Sequence, residues 1–189
     1  MDLLVTTATE VDAAAIAAVH TAAAQQLTRR HGPGHWSSTT SPVSVVRAIQ
    51  SSTVLVGIER GRVVATLRLA TRQPWAIDPR YFVPVRRPLY LLDMAVAPHR
   101  QGRGFGRRLI EYARVVARSW PGDALRLDAY DAAAGAGGFY EKCGFHEVGR
   151  VVYRDTPLIY YELLLAPPLS DLAWFASQVR RVDQHQRAG

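Results

Sequence analysis

Glycine and arginine are interspersed in a short segment around residues 100–108, and that combination suits a phosphate ligand. Glycine lets the backbone come close to a ligand, and guanidinium groups form paired hydrogen bonds with phosphate oxygens. The glycines are Gly102, Gly104 and Gly106, and the arginines are Arg100, Arg103, Arg107 and Arg108. The segment therefore predicts a site for a phosphorylated molecule.

The flanking sequence predicts a strand before this segment and a helix after it. Residues 89–96 form an apolar run interrupted only by Asp93, which is typical of a strand buried on both faces, and Pro98 ends it. One buried helix face is then predicted by apolar residues at helical spacing, namely Leu109, Ile110, Ala113, Val116, Ala117 and Trp120. The first turn of that helix presents free N–H groups and the positive end of the helix dipole to the loop, which favours a pyrophosphate.

Spacing alone leaves the ligand of this loop open. The dinucleotide-binding motif needs GxGxxG, whereas the loop has GxGxG, and a P-loop needs GK followed by Ser or Thr, which is absent. An ordinary strand-to-helix turn with its charges in solvent is the alternative at this point.

Two ordered motifs resemble the GNAT superfamily of N-acetyltransferases. The run Gln101-Gly102-Arg103-Gly104-Phe105-Gly106 matches the family signature Q/R-x-x-G-x-G/A, and it follows a hydrophobic strand as it does in that family. Downstream, residues 139–145 read FYEKCGF and resemble the family segment FYxKxGF. The resemblance covers about residues 6–166, so the chain is identified as a member of this superfamily.

The resemblance implies an α/β fold with a mixed sheet. The sheet is expected to be mostly antiparallel, with a splayed central pair of parallel strands that holds acetyl-CoA between them. A GNAT N-acetyltransferase domain is expected over residues 1–166, followed by a C-terminal helical extension over residues 167–189 whose helix Ser170 caps. This helix is expected to cover the core of its own domain, and a homodimer stays open.

Periodicity and turn signals predict the same order of elements, αα-ββ-β-α-β-α-ββ. Thr9 is expected to cap the first helix and Ser41-Pro42 to open the second. Besides the helix after the glycine loop, helices are predicted at about 10–30, 42–49 and 135–142. Strands are predicted at 53–59, 62–71, 89–96, 125–130, 146–154 and 158–165.

The resemblance also implies which residues hold the cofactor. The backbone of Met94, Ala95 and Val96 is expected to bind the pantetheine arm. The pyrophosphate is expected over Gln101, Gly102, Arg103, Gly104, Phe105, Gly106 and Arg107. One departure from the family pattern is Ala133, which stands where many members have an asparagine that contacts the pantetheine.

Acetyl transfer needs a deprotonated amine and a proton for the departing thiolate. Tyr140 occupies the position of the family tyrosine whose hydroxyl points at the cofactor sulfur, so it is the expected acid, although a purely packing role is the alternative. Asp93 is the first candidate for the base, because burial in an apolar strand would raise its pKa. Asp128 on the neighbouring strand and a chain of water molecules are the other candidates.

The acceptor is the part of the reaction that the sequence does not name. His35 and Trp36, between the first two helices, are expected to line its pocket together with Tyr153, Tyr160 and Tyr161 of the later hairpin. These aromatics indicate an amphipathic small molecule, while surface packing and a peptide acceptor remain open.

Composition fits one enzyme-sized domain of 189 residues, with 48% hydrophobic and 21% charged residues. The net charge of +7 could indicate a nucleic-acid partner, but the arginines are scattered apart from the glycine loop, so this interpretation is disfavoured. A single cysteine, Cys143, excludes an intramolecular disulfide and a cysteine metal cluster, and no metal is expected. No apolar run is long enough to span a membrane, and a cytoplasmic location is expected.

The predicted function is therefore an N-acetyltransferase that moves the acetyl group of acetyl-CoA to a primary amine of an unidentified small-molecule or peptide acceptor by direct attack. A non-catalytic acyl-CoA-binding sensor or partner domain of the same fold is the alternative, because Ala133 departs from the family pattern and the base is not evident.

Overall fold

The computed structural model describes residues 3–165, which form a seven-stranded sheet with helices packed on both faces. The strands are β1 (Leu4–Thr7), β2 (Thr53–Glu59), β3 (Arg62–Ala70), β4 (Pro88–Val96), β5 (Ala124–Tyr130), β6 (His146–Tyr153) and β7 (Thr156–Leu164). The helices are α1 (Ala13–His31), α2 (Pro42–Ser51), α3 (Phe105–Ser119) and α4 (Gly137–Lys142). Short 3₁₀ turns lie at Glu10–Asp12, His35–Ser37, Pro79–Tyr81 and Pro98–Arg100.

The strands follow the order β1-β2-β3-β4-β5-β7-β6, and every neighbouring pair is antiparallel except β4 and β5. The parallel pair is short: its register comprises Pro88↔Ala124, Leu89↔Leu125 and Tyr90↔Arg126. Beyond Tyr90 the two strands separate. The predicted mixed sheet with a splayed parallel pair at its centre is confirmed.

The ends of the helices follow the predicted caps. The Thr9 backbone N–H and hydroxyl both donate to the Asp12 carboxylate, at 2.8 and 3.1 Å, and the chain enters α1 through one 3₁₀ turn. The Ser41 hydroxyl accepts a hydrogen bond from the Ser44 backbone N–H at 3.2 Å, with Pro42 at the first position of α2. The Ser41 bond satisfies an N–H group that the start of α2 leaves free, whereas Thr9 precedes the 3₁₀ turn and Asp12 is the N-cap residue of α1.

Successive residues of a strand point to opposite faces, so the core has two layers. Leu55 and Leu67 pack with Leu109 and Ile110 of α3 and with residues of α4 in one cluster. On the other face, Val54 and Val56 pack with residues of α1 and α2. The two helical pairs therefore lie on opposite sides of the sheet.

The segment between β3 and β4 covers the second face over β5, β7 and β6. Arg126 and Glu162 form a buried ion pair at 2.9 Å, and both side chains are 4% exposed. Arg126 also donates to the Val83 carbonyl oxygen, and the Val83 N–H donates to Glu162 at 3.2 Å. Each buried charge thus has a partner, which offsets much of the cost of removing it from water.

Strand β1 is the element that the sequence analysis missed. It has only four residues and pairs with β2 at the edge of the sheet, from Leu4↔Ile58 to Thr7↔Leu55. The expected C-terminal helix beginning at Ser170 lies outside the described residues. Within residues 3–165, no helix combines the length and the apolar character that a membrane span requires.

Candidate functional site

A cavity of about 490 Å³ opens where β4 and β5 separate. Its walls come from residues 91–95 of β4, residues 128–130 of β5, α1, the segment between α1 and α2, and α4. The side chains with chemistry among them are His20, His35, Trp36, Asp93, Asp128, Tyr130 and Tyr140. Five of these were named from the sequence as candidate or expected site residues, and His20 and Tyr130 were not.

The strand β4 carries a bulge beside this cavity. Its register with β3 jumps from Thr66↔Ala95 to Arg68↔Leu92, so Asp93 and Met94 lie opposite the single residue between Thr66 and Arg68. Asp93 takes a positive φ of 50° at this point. The bulge changes the direction of β4 where the strands separate.

The prediction that Asp93 is buried is wrong. Its side chain is 54% exposed, because the bulge lies at the mouth of the open cavity, and it pairs with the Arg68 Nε at 2.8 Å. The argument that proposed Asp93 as the base depended on burial, so the exposure of this side chain removes that argument.

The other side of Met94, Ala95 and Val96 is open. These residues meet β3 through Ala65↔Val96 and Thr66↔Ala95, whereas the register of β5 with β4 ends at Tyr90, so no described strand pairs with them on the β5 side. Backbone N–H and C=O groups on an unpaired strand edge are available to an extended ligand.

The glycine loop joins this strand to α3 through left-handed backbone. Gly102 and Gly104 have φ values of 72° and 79°, which non-glycine residues rarely adopt, and a Cβ at either would meet nothing within 4 Å. Gly106 serves a different purpose, since a Cβ there would lie 3.1 Å from the Met94 Cε and from the Phe139 ring. The loop is therefore open on its outer side, and α3 packs closely on β4 and α4.

Side chains in and beside the loop have structural partners. The Gln101 amide donates to the Val96 carbonyl oxygen at 3.1 Å, which ties the loop to the end of β4. Arg100 pairs with the buried Glu59 at 2.5 Å, so its guanidinium is already engaged away from the loop. Arg107 lies in the first turn of α3, where it pairs with Glu111 at 3.5 Å on the exposed helix surface.

Tyr140 lies on α4 with its ring packed against Phe139, Phe145 and Tyr161, at centroid distances of 5.3, 5.8 and 6.1 Å. Its hydroxyl lies 3.9 Å from the Met94 Sδ. The residue is 8% exposed, and burial raises the pKa of the phenol well above its ordinary value. Tyr140 is therefore protonated at neutral pH and lines the cavity as a hydrogen-bond donor.

Asp128 faces the same cavity from β5. It is partly buried, and that burial raises the pKa of its carboxyl above the ordinary value, with the negative charge of Asp93 adding to the effect. No ion pair reaches Asp128 within residues 3–165. A carboxylate without a cationic partner and with a raised pKa is a better proton acceptor than Asp93.

His35 and Trp36 form one wall of the cavity, and Tyr130 holds them there. Trp36 meets the Tyr130 ring edge to face at 5.7 Å, and His35 stacks on it at 6.5 Å. The Trp36 indole N–H also donates to the Gly32 carbonyl oxygen at 3.1 Å. The segment between α1 and α2 is thus fixed against β5.

The three hairpin tyrosines do not line this cavity. Tyr160 and Tyr161 are buried, at 2% and 1% exposure, in the two layers of the core. Tyr153 lies on a separate cavity of about 420 Å³, which it shares with Trp75. The hairpin tyrosines are therefore not part of this cavity, and their expected contact with the acceptor stays a prediction.

His20 on α1 also lines the cavity. Burial lowers the pKa of its imidazole, the negative charge of Asp93 opposes this, and the positive charge of Arg68 adds to it. The histidine is therefore mainly neutral at neutral pH. No cluster of three His, Cys, Asp or Glu side chains in residues 3–165 is placed to hold a metal ion.

The two motifs and the splayed strands agree with a comparison against protein families. The model of the acetyltransferase (GNAT) domain matches residues 50–147, which is more than half of the chain. The chain belongs to the GNAT family. The matched range contains the glycine loop, Asp128 and Tyr140, but it begins after α1 and includes only the end of α2. No curated protein sequence matches the chain.

Solved GNAT structures share the fold. The ribosomal-protein-alanine N-acetyltransferase of Brucella melitensis is 21% identical, with a TM-score of 0.66 over 86% of this chain and 100% of that one. The yncA protein of Salmonella typhimurium, solved with its cofactor acetyl-CoA, is 19% identical, with a TM-score of 0.66 over 89% and 96%. An aminoglycoside 6'-N-acetyltransferase in complex with coenzyme A is 15% identical, with a TM-score of 0.63 over 87% and 98%. At these identities the likeness concerns the fold and not the acceptor.

Proposed function

We propose that this GNAT protein transfers the acetyl group of acetyl-CoA to a primary amine of a small-molecule or peptide acceptor by direct attack. The observation that carries the proposal is that a protonated Tyr140 and a partly buried Asp128 with a raised pKa line one cavity between the splayed strands. Direct transfer needs a proton donor and a proton acceptor on either side of the reacting carbonyl, and this cavity has both.

Acetyl-CoA would lie along β4. The backbone of Met94, Ala95 and Val96 would hold the pantetheine, because this strand edge has no β-strand partner toward β5. The pyrophosphate would bind the open outer side of the loop and the N-terminus of α3, where free N–H groups and the helix dipole favour an anion. The residues proposed to surround it are Gln101, Gly102, Arg103, Gly104, Phe105, Gly106 and Arg107.

In the reaction the amine nitrogen attacks the thioester carbonyl, a C–N bond forms, and the C–S bond breaks. Asp128 takes one proton from the ammonium group, which frees the nitrogen for attack. When the C–S bond breaks, the CoA thiolate takes the proton of Tyr140, and the tyrosinate takes the second proton that the nitrogen loses. A backbone N–H of β4 near Val96 would stabilise the negative charge that develops on the carbonyl oxygen. Asp93, the first base candidate from the sequence, is not assigned this step, because its carboxylate is exposed and paired with Arg68.

The test is acetyl-CoA consumption by the purified protein, followed as free thiol release over a panel of primary amines. Tyr140→Phe is expected to lower kcat by about 100-fold, the usual size of a general acid contribution, without weakening CoA binding. Tyr153→Phe is the matched control, since Tyr153 lies on a different cavity, and it should leave kcat unchanged.

A non-catalytic acyl-CoA-binding domain is the second candidate. Ala133 favours it, because the family often has a pantetheine-contacting asparagine there and an exposed alanine offers no side-chain hydrogen bond. Tight acetyl-CoA binding without turnover of any amine would support this candidate over the enzyme. A protein that does not bind CoA at all would contradict both.

A further inference from the structure

A second cavity of about 410 Å³ adjoins the first. It lies between α1, α2 and the sheet, and its lining shares His20, Thr40 and Asp93 with the cavity that contains Asp128 and Tyr140. A molecule bound between the splayed strands can therefore extend past these three residues into the space under α2.

The two cavities differ in charge. The described lining of the first contains Asp93 and Asp128 and neither arginine nor lysine. The second is lined by Arg47 of α2 and Arg68 of β3, with Asp93 as its one carboxylate. His20, on both cavities, is mainly neutral because burial lowers the pKa of its imidazole. One cavity therefore has an excess of negative charge and the other an excess of positive charge.

The two arginines have capacity for a further anion. Arg68 uses its Nε for Asp93, and this is its one ion pair within residues 3–165. Arg47 is exposed at the rim and makes no ion pair in the same range. A guanidinium can form two parallel hydrogen bonds to a carboxylate or phosphate, so the free edge of Arg68 together with Arg47 suits such a group.

The hydroxyl groups around the arginines add neutral donors. Thr40 and Thr66 line the second cavity, as do Ser44 and Ser51, whose hydroxyl hydrogens already go to the carbonyl oxygens of Ser41 and Arg47. Thr66 is 1% exposed and lies next to the β4 bulge that directs Asp93 toward Arg68. A carboxylate or phosphate would thus meet both charged and neutral donors, whereas an ammonium group would face two cations.

We infer that the acceptor is an amine that also carries an anionic group, a carboxylate or a phosphate. Resting on the proposed function, the inference places the amine beside Asp128 and Tyr140 and the anionic group beside Arg47 and Arg68. It argues against polycationic acceptors, because a second ammonium group would enter the cavity with the two arginines.

The direct test is binding of matched amines to the CoA-saturated protein by isothermal titration calorimetry. The pairs are 6-aminohexanoate with hexylamine, phenylalanine with phenylalaninamide, and O-phosphoethanolamine with ethanolamine. Within each pair only the first compound carries an anionic group. The three pairs differ in the distance between that group and the amine, and the third pair has a phosphate in place of a carboxylate. In at least one pair the acid-bearing member is expected to bind at least about tenfold more tightly, as a charge-assisted contact provides.

Two variants assign that preference to the cavity. Arg47→Gln and Arg68→Gln should each remove most of the tenfold advantage, and Arg47→Gln should leave binding of the member without the anionic group unchanged. Arg62→Gln is the control, since Arg62 is an exposed arginine at the start of β3 and lies outside the lining. Unchanged CoA affinity in each variant shows that the fold is intact, and Arg47, on the surface of α2, tests the inference independently if Arg68→Gln does not fold.

The outcomes separate this inference from the proposed function. If amines without the anionic group are bound and acetylated as well as their acid-bearing partners, the inference is overturned and the transferase function stands. If acid-bearing amines bind through Arg47 and Arg68 but none is acetylated, the inference stands and the transferase function fails. Failure of every acid-bearing amine to bind overturns the inference, whatever the turnover assay shows.

Discussion

The side of the molecule proposed to hold the acetyl donor, residues 94–107, is built mainly from backbone groups. The side proposed to hold the acceptor, α1, α2 and residues 32–41, is built from side chains; the two are called here the donor side and the acceptor side. On the donor side the important features are an unpaired strand edge, two glycines with positive φ and a helix N-terminus. On the acceptor side they are the rings of His20, His35 and Trp36 and the guanidinium of Arg47.

This difference explains why one side has a recognisable sequence motif and the other does not. A left-handed backbone position requires glycine, so the donor loop carries a spaced motif, and the family match covers it. A helix face accepts many side chains without losing the helix, so the acceptor side carries no comparable motif. Most of it lies before residue 50, where the family match begins.

The largest effect is expected at Asp128, where the two sides meet. Asp128→Asn should lower kcat by about 100-fold at pH 7, since it removes the proposed proton acceptor. Asp131→Asn is the matched control, because Asp131 is paired with Arg150 at 2.9 Å and lies outside the cavity lining. Equal rates for the two variants would exclude Asp128 as the base.

The pH profile sharpens this test. The base must be deprotonated, and burial raises the pKa of Asp128, so wild-type kcat should fall with decreasing pH through a pKa above the ordinary aspartate value of about 4. In Asp128→Asn only amine that is already neutral reacts. The deficit of the variant should therefore shrink as the pH approaches the pKa of the acceptor amine, as measured by initial rates.

A pair of glycine variants tests the backbone construction of the donor side. Gly104 and Gly61 have φ values of 79° and 71°, and a Cβ at either meets nothing within 4 Å, so alanine should cost a similar 1–2 kcal/mol, roughly, at each. Only Gly104→Ala places a methyl group where we propose that the phosphates lie. CoA affinity should fall about tenfold in Gly104→Ala and stay unchanged in Gly61→Ala, as measured by calorimetry alongside Tm.

The order of all the long elements could be predicted from the sequence. Strand β2 is observed at its predicted bounds, Thr53–Glu59, and the other predicted strands and helices overlap the observed ones. These segments combine a clear hydrophobic period with a cap or turn residue at their ends. Strand β1 has four residues and forms by pairing with β2, which is a long-range contact that local pattern does not record.

The site was predicted where it depends on the motifs and missed where it depends on tertiary contacts. Tyr140 lines the cavity, and the role of the glycine loop in binding the cofactor stays a prediction. Asp93 was expected to be buried because its neighbours in sequence are apolar. The bulge in β4 instead leaves its side chain 54% exposed. Tyr130 contacts Trp36 although the two are far apart in sequence, and no spacing rule links them.

A smaller effect should follow from removing one wall of the acceptor side. Trp36→Ala is expected to raise the acceptor KM about fivefold, since an aromatic contact contributes about 1 kcal/mol, and to leave the KM for acetyl-CoA unchanged. Trp75→Ala is the control, because Trp75 is 85% exposed and lines a separate cavity. A rise in the acetyl-CoA KM instead would mean that Trp36 belongs to the donor side.

The smallest effect concerns the stability of the acceptor side in acid. Burial lowers the folded-state pKa of His20 below its unfolded value of about 6.5, so only the unfolded chain takes up this proton as the pH falls below that value. His20 therefore contributes stability at pH 7.5 that is lost as the pH falls through its folded pKa.

His20→Gln should reduce the fall in Tm between pH 7.5 and 5.5 by about 2 °C, a shift that corresponds to under 1 kcal/mol. His146→Gln, at an exposed position of β6, should leave the fall unchanged. If Tm falls equally in the His20 and His146 variants, the imidazole of His20 is solvated. The side chains of the acceptor side would then be less tightly packed than the backbone of the donor side.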